Sequence, residues 1–386
     1  MINIKDKSLC SGCFACSSKC PVKAINMVQD NEGFYYPKVN EDKCVKCGLC
    51  LKICPYINEE KNNKDNLINS SVQKTFAAYN IADDIREISS SGGIFAVLAE
   101  YVLDNNGVVF GATFDNEYNV EHTYISKKSD LNLIIGSKYT QSKIGNIYIE
   151  AEQYLKENKQ VLFAGMACQI EGLKAYLGKY YNNLICVDLI CMGVPSPMVW
   201  QKYLNYKFAN KKIKYINFKD KSIGWNCFCV RIDTDNETFK EVGRKNPFMR
   251  CMFEALTLRP SCYSCPYKKK HRASDMTLAD CWGADKLVNN EMIDNKGLST
   301  IVVHTNKGLE ILNNIKSQLV IKETDFEKAF ENNQNMFSCV KKNKLRGFFM
   351  WGVTKINPKL FIEVFGSNLY FKLRRKINSI LERIGI

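Results

Sequence analysis

Cys10-Ser11-Gly12-Cys13-Phe14-Ala15-Cys16-Ser17-Ser18-Lys19-Cys20-Pro21 is answered further on by Cys44-Val45-Lys46-Cys47-Gly48-Leu49-Cys50-Leu51-Lys52-Ile53-Cys54-Pro55. The spacing C-x2-C-x2-C-x3-C-P is written twice. Three thiolates at this spacing along one tight loop can reach three irons of one iron–sulfur cube, and the fourth ligand then comes from elsewhere. The proline after each fourth cysteine fixes φ and turns the chain away. Zinc takes ligands in paired C-x2-C units, which would leave the middle cysteine of each run without a role. Disulfides are not expected, because Met1-Ile2-Asn3-Ile4-Lys5 lacks the apolar stretch of a secretory signal.

The doubled run is similar to bacterial ferredoxins with two [4Fe–4S] clusters. That resemblance implies an α+β ferredoxin-like module over residues 1–57 in which each run's last cysteine crosses to the other cluster. One set is then Cys10, Cys13, Cys16 and Cys54, and the other Cys44, Cys47, Cys50 and Cys20.

The chain has 386 residues, enough for such a module and a larger body. No stretch of 18 uninterrupted apolar residues occurs, so no transmembrane helix and a cytoplasmic location are expected. The net charge of +14 is unevenly placed: residues 338–386 carry eleven Lys and Arg against Glu363 and Glu382. Aromatic residues, among them Phe348, Phe349, Trp351 and Phe361, lie in the same segment. A basic aromatic extension over 341–386 can meet an anionic membrane surface or an acidic partner. The plainer reading is a solvated face on a helix that caps the core. No nucleic-acid-binding motif accompanies the charge, so nucleic acid is not an expected partner.

Residues 58–74 read as a polar linker rich in Asn, Lys and Asp. The body, 75–340, alternates helical and strand patterns. Helices are expected at Ile94–Leu103, Ile147–Leu155, Gln169–Leu177 and Met198–Phe208. Strands are expected at Val108–Phe114, Val161–Ala164, Leu184–Ile190, Ile213–Phe218, Phe228–Asp233 and Thr300–His304. This order predicts an α/β domain with a partly parallel mixed sheet, whose ligands gather beyond the carboxyl ends of the strands.

Cys168 and Cys191 fall just past two of those strands, and Cys262 and Cys265 follow in C-x2-C spacing. Four cysteines from three loops can close a third metal site. Alternatively, Cys168 and Cys191 are core thiols and Cys262 and Cys265 a zinc half-site, and spacing alone leaves both open. Cys186, Cys227, Cys229, Cys251, Cys281 and Cys339 read as core or incidental thiols. Ser89-Ser90-Ser91-Gly92-Gly93 precedes the helix at Ile94, where free N–H groups favour a cofactor phosphate or simply an N-cap. Gly136-Ser137-Lys138-Tyr139-Thr140-Gln141-Ser142 combines a cation, an aromatic ring, hydroxyls and an amide, suited to a polar ring system. Asp280 is a functional acid or a turn cap.

In order, these segments resemble the beta-subunit family of coenzyme F420 hydrogenases and dehydrogenases, which includes the hydroxymethyl chlorophyll reductases. The resemblance covers residues 1 to about 290. It rests on Ser90-Ser91-Gly92-Gly93, Gly136-Ser137-Lys138-Tyr139-x-Gln141-Ser142, Cys168-Gln169-x-x-Gly172-Leu173, Asp188-x-x-Cys191-x-Gly193-Val194-Pro195-Ser196, Ser261-Cys262-Tyr263-x-Cys265 and Asp275-x-Thr277-x-x-Asp280-x-Trp282-Gly283. Two departures stand out: Gly165-Met166-Ala167 replaces the family's Gly-Thr-Pro, and Ala279 replaces a glycine. The family implies an FAD-binding domain and favours a [4Fe–4S] cluster over zinc at Cys168, Cys191, Cys262 and Cys265.

The implied activity is an iron–sulfur flavoprotein oxidoreductase. It would pass electrons between a donor protein such as a ferredoxin and a small-molecule substrate, in either direction. Fusing the modules has a physical reason, since a flavin converts one-electron into two-electron transfer. Lys138 and Asp280 are the candidate catalytic groups. Coenzyme F420 is the family's namesake acceptor. Relatives of this layout in anaerobic bacteria accompany cell-surface polysaccharide pathways, so a sugar-linked substrate is a second expectation. The Lys-, Asn- and Ile-rich composition points to an AT-rich bacterial genome and argues against F420. Two rival readings are an electron-transfer subunit without its own substrate and a protein whose clusters only hold its fold.

Overall fold

The computed structural model describes residues 1–60 and 72–373. Most of the expected linker, and the last part of the basic extension, lie outside the described residues. In the N-terminal module, β1 (Ile25–Gln29) and β2 (Tyr35–Val39) pair antiparallel between two short helices, Ala15–Ser18 and Leu49–Lys52.

The body opens with β3 (Lys74–Asn80), β4 (Val108–Phe114), β5 (Val120–Ile125), β6 (Val161–Met166) and β7 (Leu184–Leu189). It continues through β8 (Ile213–Asp220), β9 (Cys229–Thr234) and β10 (Thr238–Val242), then β11 (Met276–Asp280), β12 (Ser299–Val303) and β13 (Leu319–Thr324). Among the described residues the main sheet has the order β13-β3-β12-β11-β7-β6-β4-β5. Its centre is parallel, β4 with β6, β6 with β7 and β7 with β11, and both flanks are antiparallel. Crossover helices Ile147–Lys156 and Ala167–Leu177 join the parallel strands, as such connections require.

Near-continuous apolar runs in the central strands match burial on both faces. Val109, Leu162, Ile185 and Val187 point to the core under helices Ile94–Asp104 and Asn306–Ile315. Their neighbours Val108, Phe110, Val161, Phe163, Leu184 and Cys186 point to the opposite core, with Ile170, Leu173 and Tyr176. Each such fully buried side chain stabilises the fold by about 1.5–3 kcal/mol before chain entropy is subtracted.

The strands expected at 213 and 228 leave the main sheet and form a separate antiparallel one, β10-β9-β8. Their connections are short and carry no crossover helix, so they fold as a meander. Against it pack helices Pro197–Lys207, Pro247–Phe253, Arg346–Lys355 and Pro358–Phe365. Residues from 341 on are therefore partly core: Phe349, Met350, Val353, Phe361, Ile362 and Phe365 are buried.

The N-terminal module sits on the carboxyl-end edge of the parallel strands. Phe14 and Ala15 enter the body's own core beside Tyr148, Ile170 and Leu173. Arg259, wholly buried, donates to the Cys10 carbonyl (2.8 Å), the Tyr35 carbonyl (2.9 Å) and Gln141 Oε1 (2.9 Å). Gln141 Nε2 in turn donates to the Ser11 carbonyl at 2.9 Å. Arg346 clasps Glu32 with both terminal nitrogens, and Ser196 Oγ donates to the Glu32 carbonyl. At Gly172 an added Cβ would lie 2.8 Å from Cys13 Cβ, so the glycine permits the helix to approach the first cysteine run.

Arg259→Ala would leave three buried acceptors without their donor. The expected cost is about 3 kcal/mol in urea unfolding, with faster proteolysis between the module and the body. Unchanged stability would show that the guanidinium does not hold the interface.

Candidate functional site

In the N-terminal module the structure gathers the cysteines into two sets. Cys10, Cys13, Cys16 and Cys54 are electrostatic neighbours. Burial, and then Cys10 and Cys54, push the Cys13 thiol up to about 12. Cys16 is raised well above its usual value by burial and the same neighbours, and Cys54 by burial with Cys10 and Cys50. Cys20, Cys44, Cys47 and Cys50 line a small cavity of the module, where Cys47 is exposed. Backbone N–H groups point at the sulfurs, Gly12 to Cys10 (3.4 Å), Ala24 to Cys20 (3.2 Å) and Ile2 to Cys50 (3.3 Å). Left-handed Phe14 and Gly48 begin the short helices and curl the runs around these positions.

The body brings its own cysteines together at the edge of the main sheet. Met166 and Leu189 are register partners at the ends of parallel β6 and β7, and Cys168 and Cys191 each follow two residues later. Cys262 reaches the same place because the loop 257–262 pairs with the loop after β7. Pro195 bridges Leu258, and the Val194 N–H points at Cys262 Sγ at 3.4 Å. Gly193 (φ 149) must lack a side chain there, since a Cβ would lie 3.0 Å from Cys262 Cβ.

Two clasps hold the loop carrying Cys265. Arg272 pairs with buried Asp188 at 3.0 Å, and Lys268 Nζ donates to the Cys191 carbonyl. Burial, followed by Cys265, Cys191 and Cys262, raises Cys168 well above its usual value. Burial and Cys191 take Cys262 to about 12, and burial dominates at Cys265, about 11. Cys13 also acts on Cys168, so the two modules' thiols are neighbours. Crowded, buried thiols of this kind suit a cationic metal core that replaces their protons. Among the described residues no three His, Cys, Asp or Glu converge on a single metal-ion position.

The Ser/Gly and Lys/Tyr segments meet beside this edge. Ser90 Oγ accepts from the Ser137 N–H at 2.6 Å. Ser91 Oγ donates to the Leu298 carbonyl and the Gly92 N–H to Ser299 Oγ, pinning the loop to β12. Gly93 (φ 82) starts helix Ile94–Asp104, whose N-terminus has no side-chain cap. Lys138 is half-buried; desolvation lowers its pKa to about 7, and Nζ donates to the Ile135 and Gly136 carbonyls. Tyr139 packs edge-on against Phe218, within the influence of Lys219, Asp280 and Cys191. The other two residues of this segment face elsewhere: Gln141 joins the module interface, and Ser142 Oγ accepts from Gln169 Nε2 at 2.9 Å. Gln169 Oε1 also accepts from the Met166 N–H, closing the helix start that carries Cys168 despite the altered Gly165-Met166-Ala167.

Asp280, at the carboxyl end of β11, forms a bidentate ion pair with buried Lys219 (2.8 and 3.0 Å). Trp225 and Trp282 stack at 4.7 Å next to the pair and line a cavity of about 140 Å³ with Gly283, Asn295 and Leu298. Sequence reasoning passed over Lys219 and Lys221, which end and follow β8. Lys221 Nζ donates to the Ser91, Arg86 and Lys296 carbonyls, and burial, with Arg86 and Lys219, lowers it to about 8. Lysines in a Lys-rich chain give no signal of their own. Cys339, read as incidental, accepts from the Cys265 N–H at 3.1 Å and belongs to the same neighbourhood.

Comparison with known proteins places both halves. Residues 158–329 match the family model for the carboxyl-terminal part of the coenzyme F420 hydrogenase/dehydrogenase beta subunit, and residues 9–58 match the 4Fe–4S dicluster domain. The chain is 25% identical over 338 residues to a coenzyme F420-dependent sulfite reductase of Methanocaldococcus jannaschii, covering 84% of this chain and 49% of that protein. It thus spans about half the length of that relative. Over 57 residues it is 39% identical to an uncharacterized polyferredoxin-like protein of the same organism, 13% of this chain and 34% of that one. A chain of the F420-reducing [NiFe] hydrogenase complex from Methanosarcina barkeri aligns with a TM-score of 0.44 at 17% identity, over 64% of this chain and 81% of that one. The chain is therefore an iron–sulfur redox protein that joins a 4Fe–4S dicluster domain to the carboxyl-terminal domain of the coenzyme F420 hydrogenase/dehydrogenase beta-subunit family.

Proposed function

We propose that this protein is an iron–sulfur flavoprotein oxidoreductase that connects a low-potential donor protein, such as a ferredoxin, to a small-molecule acceptor. The observation that carries the reading is the packing of Cys13 of the module against Gly172, on the same helix as Cys168 of the body, which lets electrons pass between the two cysteine sets without a diffusing carrier. In this reading the N-terminal cysteines hold two [4Fe–4S] clusters and Cys168, Cys191, Cys262 and Cys265 a third. FAD, when bound, supplies the exchange between one- and two-electron transfer.

The residues at the Ser90–Ser137 contact fit such a ligand. Lys138, Lys219 and Lys221 gather positive charge beside the uncapped N-terminus of helix Ile94–Asp104, where Asp280 pairs with Lys219 and Glu87 also acts on Lys221. Cations gathered at a helix N-terminus favour an anionic ligand. Ser90, Ser91, Gly92, Gly93, Ser137, Lys138 and Tyr139 would hold the flavin, with Gln141 and Ser142 fixing the loop behind it. Asp280, paired with Lys219, is the group placed to exchange a proton with the acceptor. The adjoining cavity has room for one ring of the acceptor, whether deazaflavin-like as in F420 or a sugar.

A second reading makes the chain the electron-feeding half of a larger assembly. Cys47, exposed at the surface of the N-terminal module, favours it, because a cluster held there can exchange electrons with a partner protein. Anaerobic purification separates the two. Flavin retained at about one per chain, and oxidised by an added small molecule, supports the enzyme. Intact clusters without flavin move the conclusion to the second reading.

Two further outcomes are expected. Three cubes give about twelve irons per chain, falling to about eight in Cys262→Ala, whereas a wild-type value near eight would remove the body cluster. Burial holds Lys138 near pH 7 in the free protein, and an anion beside it raises that value. FAD affinity should therefore fall as pH rises above about 7, by up to about tenfold per unit, as the protonated lysine becomes scarcer. Lys138→Met should bind FAD more weakly with that slope abolished; an unchanged slope would assign the titration to another group.

A further inference from the structure

We propose that the outer face of the C-terminal helical pair is a docking surface for an anionic lipid bilayer. Helices Arg346–Lys355 and Pro358–Phe365 bury one side in the core and turn large apolar groups outward on the other. Leu345, Phe348 and Trp351 recur every third residue and are 44%, 53% and 51% exposed. Ile356 lies at the corner between the helices, and Leu360 and Val364, one turn apart, continue the exposed set. Phe348 ties the stripes together, stacking on Trp351 at 5.9 Å and meeting Phe361 at 5.4 Å. Apolar surface grouped in this way marks an interaction site.

Charge decides which partner fits. Lys341, Lys342, Lys344, Lys355, Lys359 and Lys372 are exposed, and none has an ion pair among the described residues. Between Lys341 and Lys372 the chain has one carboxylate, Glu363, already engaged by Tyr206 and Lys207. Arg346, the other cation of the segment, is buried against Glu32. Protein interfaces deplete lysine at their centres. Trp, Phe and Leu flanked by lysines is instead the composition of helices lying in the headgroup plane, where the lysine stems reach back to lipid phosphates. Among the described residues no helix is long and apolar enough to cross a membrane, so the contact is peripheral.

The test uses the full chain, loaded with its clusters under anaerobic conditions. It is sedimented with vesicles of phosphatidylglycerol and phosphatidylcholine, and with phosphatidylcholine alone. Binding is expected to the anionic vesicles, weakening as salt rises. Lys355→Gln and Lys359→Gln should each weaken it about fivefold, and Phe348→Ser with Leu360→Ser at least about tenfold, with cluster absorbance unchanged. Bromine-labelled acyl chains should quench wild-type tryptophan fluorescence but not that of Trp351→Phe. No binding to anionic vesicles, or equal binding to both kinds, overturns the proposal. So does a dimer in solution that the Phe348→Ser, Leu360→Ser variant dissociates, which would assign the face to a second copy of the chain.

Discussion

The buried guanidinium of Arg259 couples the two halves of this protein where their cysteine loops meet. Arg259 enters the seam from the loop that leads to Cys262 and gives its donors to backbone oxygens at Cys10 and Tyr35 and to the Gln141 amide. Its plane lies over the Tyr36 ring at 4.2 Å. Among the described residues no carboxylate pairs with it, and Cys10 and Cys262 lie on either side. A planar fork spreads its donors over three acceptors that lie in different directions, where an ammonium would offer them from one point. Remove it, and the loop of Cys262 and the loop of Cys10 lose their common anchor.

That anchor turns a sheet edge into a path. Parallel β6, β7 and β11 end together, so Cys168, Cys191 and Asp280 emerge on one side without any long-range adjustment of loops. The module covers this side, with Cys13 against Gly172, and Tyr56 and Tyr267 in edge contact at 5.7 Å. Tyr56 feels Cys265, Cys168 and Cys262 after its own burial. Cys47 of the second set is exposed, and it is the other set that reaches the body, through Cys13 beside Gly172 and Cys168.

Much of this was legible in the sequence where the signal is local. The doubled cysteine runs and the strands β4, β6 and β7 stand out because spacing and continuous apolar runs are self-contained. Other strands were less visible. β5 carries only Val120 and Ile125 as clear core residues, with His122 buried between them, and β11 is hidden inside a motif read for its acids. Roles that depend on a distant partner could not be read at all. Gln141 looked like a ligand for a ring system because its amide is polar, and the structure shows it bonded to Ser11 of the module, 130 residues earlier. Lys219, Lys221 and Cys339 acquire meaning only from what the fold sets beside them.

The central claim is spatial: the Cys13 set of the dicluster domain lies between the Cys47 set and the body set. An anomalous-difference map at the iron edge, from crystals grown anaerobically, tests it directly. The account predicts three iron sites in sequence, the middle one at Cys10, Cys13, Cys16 and Cys54 and the last at Cys168, Cys191, Cys262 and Cys265. Iron confined to the N-terminal module, or a body site remote from Cys13, would contradict it.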